Sequence, residues 1–281
     1  MADNDEAVQL YLDLMKRCLT RSILGDGLES VLARPGAIPA PLRPLLRAVS
    51  WLLSKKSVVL ARESRSSREQ RAEGRDWPPD AETMVGLKRL DSLEWCVKEV
   101  LRDDVPGDLI EAGVWRGGAV IFMRAILKAY GVRDRKVYAA DSFQGLPPPD
   151  VERYPRDAGS RLWAAEYLRV GAEQVRANFA KYGLLDDQVV LLEGWFKDTL
   201  PNAPIERLAV MRLDGDMYES TIEALAHLYP KLAPGGFCII DDYGAVEACR
   251  EAVEDYRREH RISEPLEEID WTGRFWRKAR A

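Results

Sequence analysis

The chain has 281 residues, of which 46% are hydrophobic and 31% are charged, and its formal net charge is −5. This length predicts one catalytic domain with an appended segment, and the acidic balance argues against a nucleic-acid partner, whose phosphates normally require a basic surplus. No stretch approaches the roughly 20 apolar residues that span a bilayer, and the lack of both CxxC spacing and a secretory signal pattern indicates a cytoplasmic protein.

Residues 1–80 are expected to form a helical extension that ends in a linker. An apolar-periodic run covers Val8–Leu24, a break follows at Gly25–Gly27, and a proline-containing stretch covers Pro35–Pro44. Leu42–Leu60 has the pattern of an amphipathic helix, which favours packing on a neighbouring element or subunit over binding to a membrane surface. The apolar surface of these helices predicts a homo-oligomer, in which self-association covers it.

The next segment is expected to connect this extension to the main domain, residues 81–281. Arg62–Arg75 is charged and contains serines, which favours a linker over a solvated helix. Trp77–Pro79 then interrupts the chain, and apolar residues recur at helical spacing over Ala81–Leu101. A helix over that range is therefore predicted.

From Gly107 onward, strand patterns alternate with helix patterns, which is typical of a parallel sheet covered on both faces. Strands are predicted at 108–112, 136–141, 188–193, 206–213 and 236–241, and helices near 118–130, 172–182, 220–232 and 245–260. Two further strand-like pieces, Leu266–Asp270 and Arg274–Lys278, lie too close together for a parallel crossover and should form a hairpin. The predicted fold is α/β, with the seven-stranded Rossmann-like sheet of class I methyltransferases and an N-terminal helical extension.

In such a sheet, ligands bind beyond the carboxyl ends of the strands. The first strand leads into residues 111–118 (EAGVWRGG), where the glycines permit close approach and Glu111 can accept hydrogen bonds from an amino group. The pattern departs from G-x-G-x-x-G, so it favours a nucleoside bearing an amino acid over a dinucleotide. Asp141, after the second strand, can bind ribose hydroxyls in either case, and Trp195 either walls an adenine or packs in the core.

Four carboxylates follow two neighbouring strands. Asp214 and Asp216 come after the fourth strand, and Asp241 and Asp242 after the fifth. Unpaired, they would raise one another's pKa values, and a bound cation would relieve that repulsion. All-oxygen ligands suit magnesium, calcium or manganese; the alternative is that two acids cap helices and two are simply exposed. We predict a metal site at Asp214, Asp241 and Asp242.

The chemistry that suits such a site is methyl transfer to a hydroxyl group. An alcohol is a poor nucleophile until its proton is removed, and a metal ion together with a carboxylate base addresses that difficulty. Asp216 is the predicted base, because it lies two residues from a metal ligand. Ser220 is expected to be the N-cap of the helix that follows.

These residues resemble the macrocin O-methyltransferase family, whose members methylate deoxysugars of antibiotics. The resemblance covers residues 73–278 and rests on segments 73–78, 83–91, 106–118, 140–145, 194–201, 213–220 and 241–243. It implies S-adenosylmethionine as cofactor, magnesium at the acidic site, a sugar or glycoside acceptor, and a mobile lid within Leu146–Val170. The predicted cofactor contacts are Met84, Glu111, Gly113, Trp115, Gly117, Asp141, Ser142, Gly194, Trp195 and Asp214.

The sequence leaves three other functions open. A nicotinamide oxidoreductase is compatible with the parallel sheet. The absence of the G-x-G-x-x-G fingerprint and the presence of a closing hairpin argue against it. A non-catalytic carbohydrate-binding protein would gain little from paired carboxylates at a sheet edge. A metal-dependent O-methyltransferase for catechols or phenols would use the same site, and only its acceptor would differ.

Overall fold

The structure, a computed structural model, describes residues 2–24, 28–30, 38–63, 67–76, 78 and 80–280. The expected break at Gly25–Gly27, the first part of the proline-containing stretch, and both Trp77 and Pro79 lie outside the described residues. Within the described part of the chain, no helix is long and apolar enough to cross a membrane.

The described residues of the N-terminal part form three α-helices and a small antiparallel ribbon. Helix α1 is Ala2–Leu19, strand β1 is Leu28–Ser30, helix α2 is Arg43–Ser54, strand β2 is Ala61–Glu63 and helix α3 is Arg68–Ala72. Strands β1 and β2 pair in antiparallel fashion. The linker interpretation is wrong for α3, because Ser67 and Gln70 form a reciprocal capping box that satisfies backbone groups of this short helix.

Helix α4 is Leu87–Arg102, so it begins six residues later than the periodicity predicts. Residues 81–86 instead make backbone contacts elsewhere: the Glu82 carbonyl accepts a hydrogen bond from the amide of Gly118 at 2.9 Å. A Cβ added at Gly86 would lie 2.2 Å from the Gly74 nitrogen. This close packing of two backbone segments holds residues 81–86 outside the helix.

The main sheet has seven strands in the order β5-β4-β3-β6-β7-β9-β8. Their ranges are β3 Asp108–Ala112, β4 Val137–Asp141, β5 Val189–Glu193, β6 Leu208–Leu213, β7 Leu232–Ile240, β8 Glu267–Glu268 and β9 Arg274–Arg277. Strands β3 to β7 pair in parallel, whereas β9 is antiparallel to both β7 and β8. The predicted seven-stranded sheet and its closing hairpin are confirmed.

Helices cover both faces of this sheet. They are α5 Gly118–Ala129, α6 Ala172–Lys181, α7 Phe196–Thr199, α8 Tyr218–Leu228 and α9 Glu247–Glu259. One core cluster contains Leu12 of α1 with Leu93 and Phe122, and the other contains Leu225 with Tyr256. Helix α1 thus buries side chains in the same core as the sheet. The division of the chain into a helical extension with a linker over residues 1–80 and a methyltransferase domain over residues 81–281 stays a prediction.

Two predicted details of these elements are corrected by the structure. Helix α8 begins at Tyr218 with Met217 as its N-cap, so Ser220 lies inside the first turn rather than at the cap. Strand β7 begins at Leu232, four residues before the predicted start at residue 236. The pairing of β7 with β6 shifts register between Leu232 and Phe237, so the chain bulges there and the strand extends further back than its apolar run.

Candidate active site

A cavity of about 360 Å³ lies at the carboxyl ends of the parallel strands. The residues that line it come from the turns after β3 to β6, the start of α8, the segment before α4 and the segment after β4. They are Met84, Gly113, Trp115, Asp141, Ser142, Gly145, Leu146, Pro147, Pro148, Asp150, Leu168, Trp195, Phe196, Lys197, Asp214, Gly215, Asp216, Glu219, Ser220 and Glu223. The fold thus assembles one site from many separate segments.

The structure brings most of the predicted cofactor residues to this cavity. Seven of them line it: Met84, Gly113, Trp115, Asp141, Ser142, Trp195 and Asp214. Gly117 and Gly194 are in neighbouring turns but outside the lining. Glu111 is buried in β3, where its carboxylate accepts a hydrogen bond from Arg212, and desolvation raises its pKa to about 8.

The turn after β3 can accept only glycine at position 113. Its φ is +89°, and an added Cβ would lie 1.8 Å from the Asp214 carbonyl oxygen. Three bulkier residues in this turn and in the turns after β4 and β6 also have left-handed backbones, namely Trp115, Phe143 and Asp216. Such conformations persist only where the surroundings enforce them, and they concentrate at functional sites.

The carboxylate of Asp141 ties together the turns after β3 and β4. It accepts hydrogen bonds from the amide of Val114 at 2.8 Å and from the amide of Phe143 at 2.7 Å. Burial nevertheless raises its pKa, although these backbone hydrogen bonds favour the charged form. Asp141 therefore shapes the cavity wall as well as presenting oxygen atoms to it.

The acidic residues after β6 and β7 form one cluster. Asp214, Asp241 and Asp242 each offer a carboxylate oxygen, and these atoms all lie within 4.8 Å of one another. Burial, with the added charge of Asp216, raises the pKa of Asp242 well above its usual range. Asp216 lies beside them, since its amide donates to Asp242 Oδ2 at 3.3 Å. Burial and the charge of Asp214 raise the pKa of Asp216 to about 7.

Two buried arginines, which sequence reasoning missed, form ion pairs with the carboxylates of this cluster. Arg212 of β6 donates to Glu111, to Asp214 at 2.9 Å and to Oδ1 of Asp241. Arg89 of α4 donates to Oδ2 of Asp241. For Arg212, the signal in the sequence was its position inside the otherwise apolar strand 208–213. Burial of a charge there is costly unless the charge is paired.

The acidic cluster fits a divalent metal ion. Its donors are all carboxylate oxygens, which hard cations prefer. Burial, together with repulsion between neighbouring carboxylates, raises the pKa values of Asp214 and Asp242, and a bound cation would offset both effects. The arginine contacts leave room for this, because each carboxylate oxygen can accept more than one interaction. Asp241 would thus be oriented by two arginines and still present a lone pair.

The segment expected to be a lid is anchored to the site at its first half. Asp157 is buried, and its two oxygens accept hydrogen bonds from the amides of Tyr218 at 2.8 Å and Glu219 at 2.9 Å. These are the first residues of α8, so this carboxylate caps the helix from about 60 residues upstream. The hydroxyl of Tyr154 also donates to Glu223 at 3.2 Å. Mobility of the lid stays a prediction.

Comparison with known proteins identifies close relatives. The family model described as "Macrocin-O-methyltransferase (TylF)" matches residues 8–278. The 8-demethyl-8-(2,3-dimethoxy-alpha-L-rhamnosyl)-tetracenomycin-C 4'-O-methyltransferase of Streptomyces olivaceus is 51% identical over 278 residues, which cover 99% of this chain and 95% of that protein. The mycinamicin III 3''-O-methyltransferase of Micromonospora griseorubida is 48% identical, and the match covers 97% of both chains. The solved structure of the O-methyltransferase NovP matches with a TM-score of 0.83 and 44% identity, and the match covers 97% of this chain and 100% of that one.

Proposed function

Because this chain belongs to the TylF macrocin-O-methyltransferase family, we propose that it methylates a sugar hydroxyl of a glycosylated natural product, using a divalent metal and an aspartate base. It is an O-methyltransferase, as its family and relatives establish, and the methyltransferase family and fold support S-adenosylmethionine as the methyl donor. The observation that carries the finer proposal is the acidic cluster, in which three carboxylates converge beside a cavity that also contains Asp216.

The residues of the site divide the chemistry among them. Asp216 takes the proton of the acceptor hydroxyl, a role favoured by its position at the cavity wall and by a pKa of about 7. Asp214, Asp241 and Asp242 would hold magnesium or another divalent cation, which when bound lowers the pKa of a coordinated hydroxyl. Arg212 orients Asp241 and neutralises part of the negative charge of the cluster.

A sugar acceptor is favoured by the relatives. The protein from Streptomyces olivaceus is named for a rhamnosyl-tetracenomycin, and that from Micromonospora griseorubida for mycinamicin III. A catechol or phenol acceptor is the second candidate, since the same acidic cluster would serve it. The two differ in acceptor alone, so a panel of glycosides and catechols separates them.

The test begins with binding and continues with turnover. S-adenosylmethionine, and separately NAD, is titrated into the purified protein by calorimetry, with magnesium and then with chelator. We expect S-adenosylmethionine to bind and NAD not to bind, and we expect turnover of glycosides to require the divalent metal. Binding of NAD without S-adenosylmethionine would overturn the assignment of the cofactor, and metal-independent turnover would remove the metal from the proposal.

The base is tested by Asp216→Asn, with Asp187→Asn as a matched control. Asp187 is exposed and forms none of the described contacts of the site. Removal of a general base typically lowers turnover by about 10²- to 10⁴-fold, whereas the control should keep the activity of the wild type. Near-normal turnover of Asp216→Asn, with cofactor and metal bound, would show that the base is another group.

We also propose that the enzyme assembles as a homo-oligomer in the cytoplasm. Helix α2 contains no buried residue and exposes Leu45, Trp51 and Leu52, which a second copy of the chain would cover. All four cysteines are free thiols, in keeping with a reducing compartment. Light scattering of a Leu45→Glu/Leu52→Glu variant tests the interface: a lower mass supports it, and an unchanged mass removes α2 from it.

A further inference from the structure

One end of the cavity is formed by α7 and by the first two turns of α8, which pack against each other. The turn into α7 contributes the aromatic rings of Trp195 and Phe196, and α8 contributes the carboxylates of Glu219 and Glu223. Flat apolar walls with a few polar atoms at one edge are the usual surroundings of an aromatic heterocycle. The carboxylates accept hydrogen bonds, so they select a heterocycle that has a donor at that edge.

Glu219 has no partner for one of its oxygens. Glu219 is 5% exposed, and its Oε2 atom accepts no hydrogen bond within the described part of the chain. The neighbouring Glu223 differs, because its carboxylate already accepts from the Tyr154 hydroxyl at 3.2 Å. A buried acceptor without a donor is costly, and natural proteins rarely leave one unless a ligand or a water satisfies it.

The order of the strands relates this end of the cavity to the cofactor. Asp141, where a ribose is expected, ends β4, and β5 is the next strand outward in the sheet. The chain after β5 leads directly through Gly194 to Trp195 and Phe196. A base attached to a ribose near Asp141 would therefore lie between these rings and the edge of α8. Glu219 borders that position, and burial raises its pKa in keeping with a water-poor setting.

We propose that the Glu219 carboxylate accepts a hydrogen bond from the exocyclic amino group of the cofactor's adenine. This inference rests on the proposed use of S-adenosylmethionine and deepens it, because it assigns the group that distinguishes adenine from other purines. The amino group is a donor that a 6-oxopurine lacks, and a carboxylate facing a carbonyl oxygen instead is repelled. Glu219 is thus a specificity-determining residue for the base.

The test compares two ligands that differ only at the base edge. S-adenosylhomocysteine and S-inosylhomocysteine carry the same charge, and the second has a carbonyl oxygen at C6 in place of the amino group and a proton on the adjacent N1. Their Kd values are measured by calorimetry for the full-length wild type and three variants. Glu219→Met removes the acceptor at similar length, and Glu219→Gln keeps one acceptor oxygen but adds an N–H donor. Glu223→Gln alters the neighbouring carboxylate, which already accepts a hydrogen bond from Tyr154.

We expect the wild type to bind the adenine ligand about tenfold or more tightly than the hypoxanthine ligand, the ratio typical for one hydrogen bond to a charged group. Glu219→Met should reduce this ratio to about 1–2, and Glu219→Gln should also lower it, because an amide can donate to the C6 carbonyl oxygen as well as accept from the amino group. Glu223→Gln should retain the ratio of the wild type. An unchanged ratio in Glu219→Met, or no preference in the wild type, would overturn the inference. If the wild type bound neither ligand, nor S-adenosylmethionine, the proposed cofactor itself would be wrong.

Discussion

Replacement of Arg212 by methionine tests how the acidic site is held together. Arg212 is 3% exposed and donates to Glu111, Asp214 and Asp241. Methionine has a similar length but no charge, so the variant leaves three carboxylates of the interior without this partner. Removal of one partner from a buried ion pair costs about 3–5 kcal/mol. Arg212→Met should therefore destabilise the fold by about that amount.

The expected shift in melting temperature follows from the size of the protein. The unfolding entropy is about 2.1 cal/mol/K per residue, or about 0.6 kcal/mol/K for this chain. A loss of about 3–5 kcal/mol in the free energy of unfolding therefore lowers the melting temperature by about 5–9 °C. Calorimetric melting in chelator measures it without compensation from a cation. The control is Arg176→Met on α6, whose pair with Glu173 at 3.6 Å lies at the surface and should contribute less than about 1 kcal/mol. A melting temperature of Arg212→Met within about 2 °C of the wild type would refute the reasoning.

Three further predictions follow from the same contacts. Gly113→Ala should abolish binding of S-adenosylhomocysteine, because the added Cβ would lie 1.8 Å from the Asp214 carbonyl oxygen. The control is Gly131→Ala, where φ is +67° and no atom lies within 4 Å of the added Cβ; thermal melts should show a loss of only about 1–2 kcal/mol in its free energy of unfolding. Asp157→Ala removes the acceptor of the Tyr218 amide and should destabilise the protein by about 1–2 kcal/mol, with Asp157→Asn intermediate; equal melting temperatures would exclude the cap. Dialysis against chelator should abolish turnover, and added magnesium should restore it; full activity after metal removal would contradict the role of the acidic cluster.

The sheet was predictable from the sequence because the patterns that specify its strands lie within short segments of the chain. Each strand is a short apolar run bounded by turn residues, and the alternation with helical patterns leaves few topologies for a parallel sheet. The hairpin followed from the short spacing between residues 266–270 and 274–278. Errors arose where backbone contacts between distant segments override local pattern, as at Gly86, which packs on Gly74 and delays α4.

The location of the site was predictable for a similar reason. Parallel strands end at one edge, so the residues after Asp108–Ala112, Leu208–Leu213 and the other strands had to lie near one another. That rule identified Asp141, Asp214 and Gly113 as cavity residues without any knowledge of their contacts.

The sequence by itself thus determined the order of the elements, the edge of the sheet that carries the site and the identity of its acids. Only the tertiary structure decided which groups pair there: Arg89 and Arg212 on Asp241, and Asp157 on the start of α8. It alone showed that one oxygen of Glu219 has no hydrogen-bond partner among the residues that the structure describes. The physical reason is that hydrogen bonds and ion pairs form over about 3 Å between side chains far apart in sequence, whereas hydrophobic periodicity and turn chemistry act between neighbours along the chain.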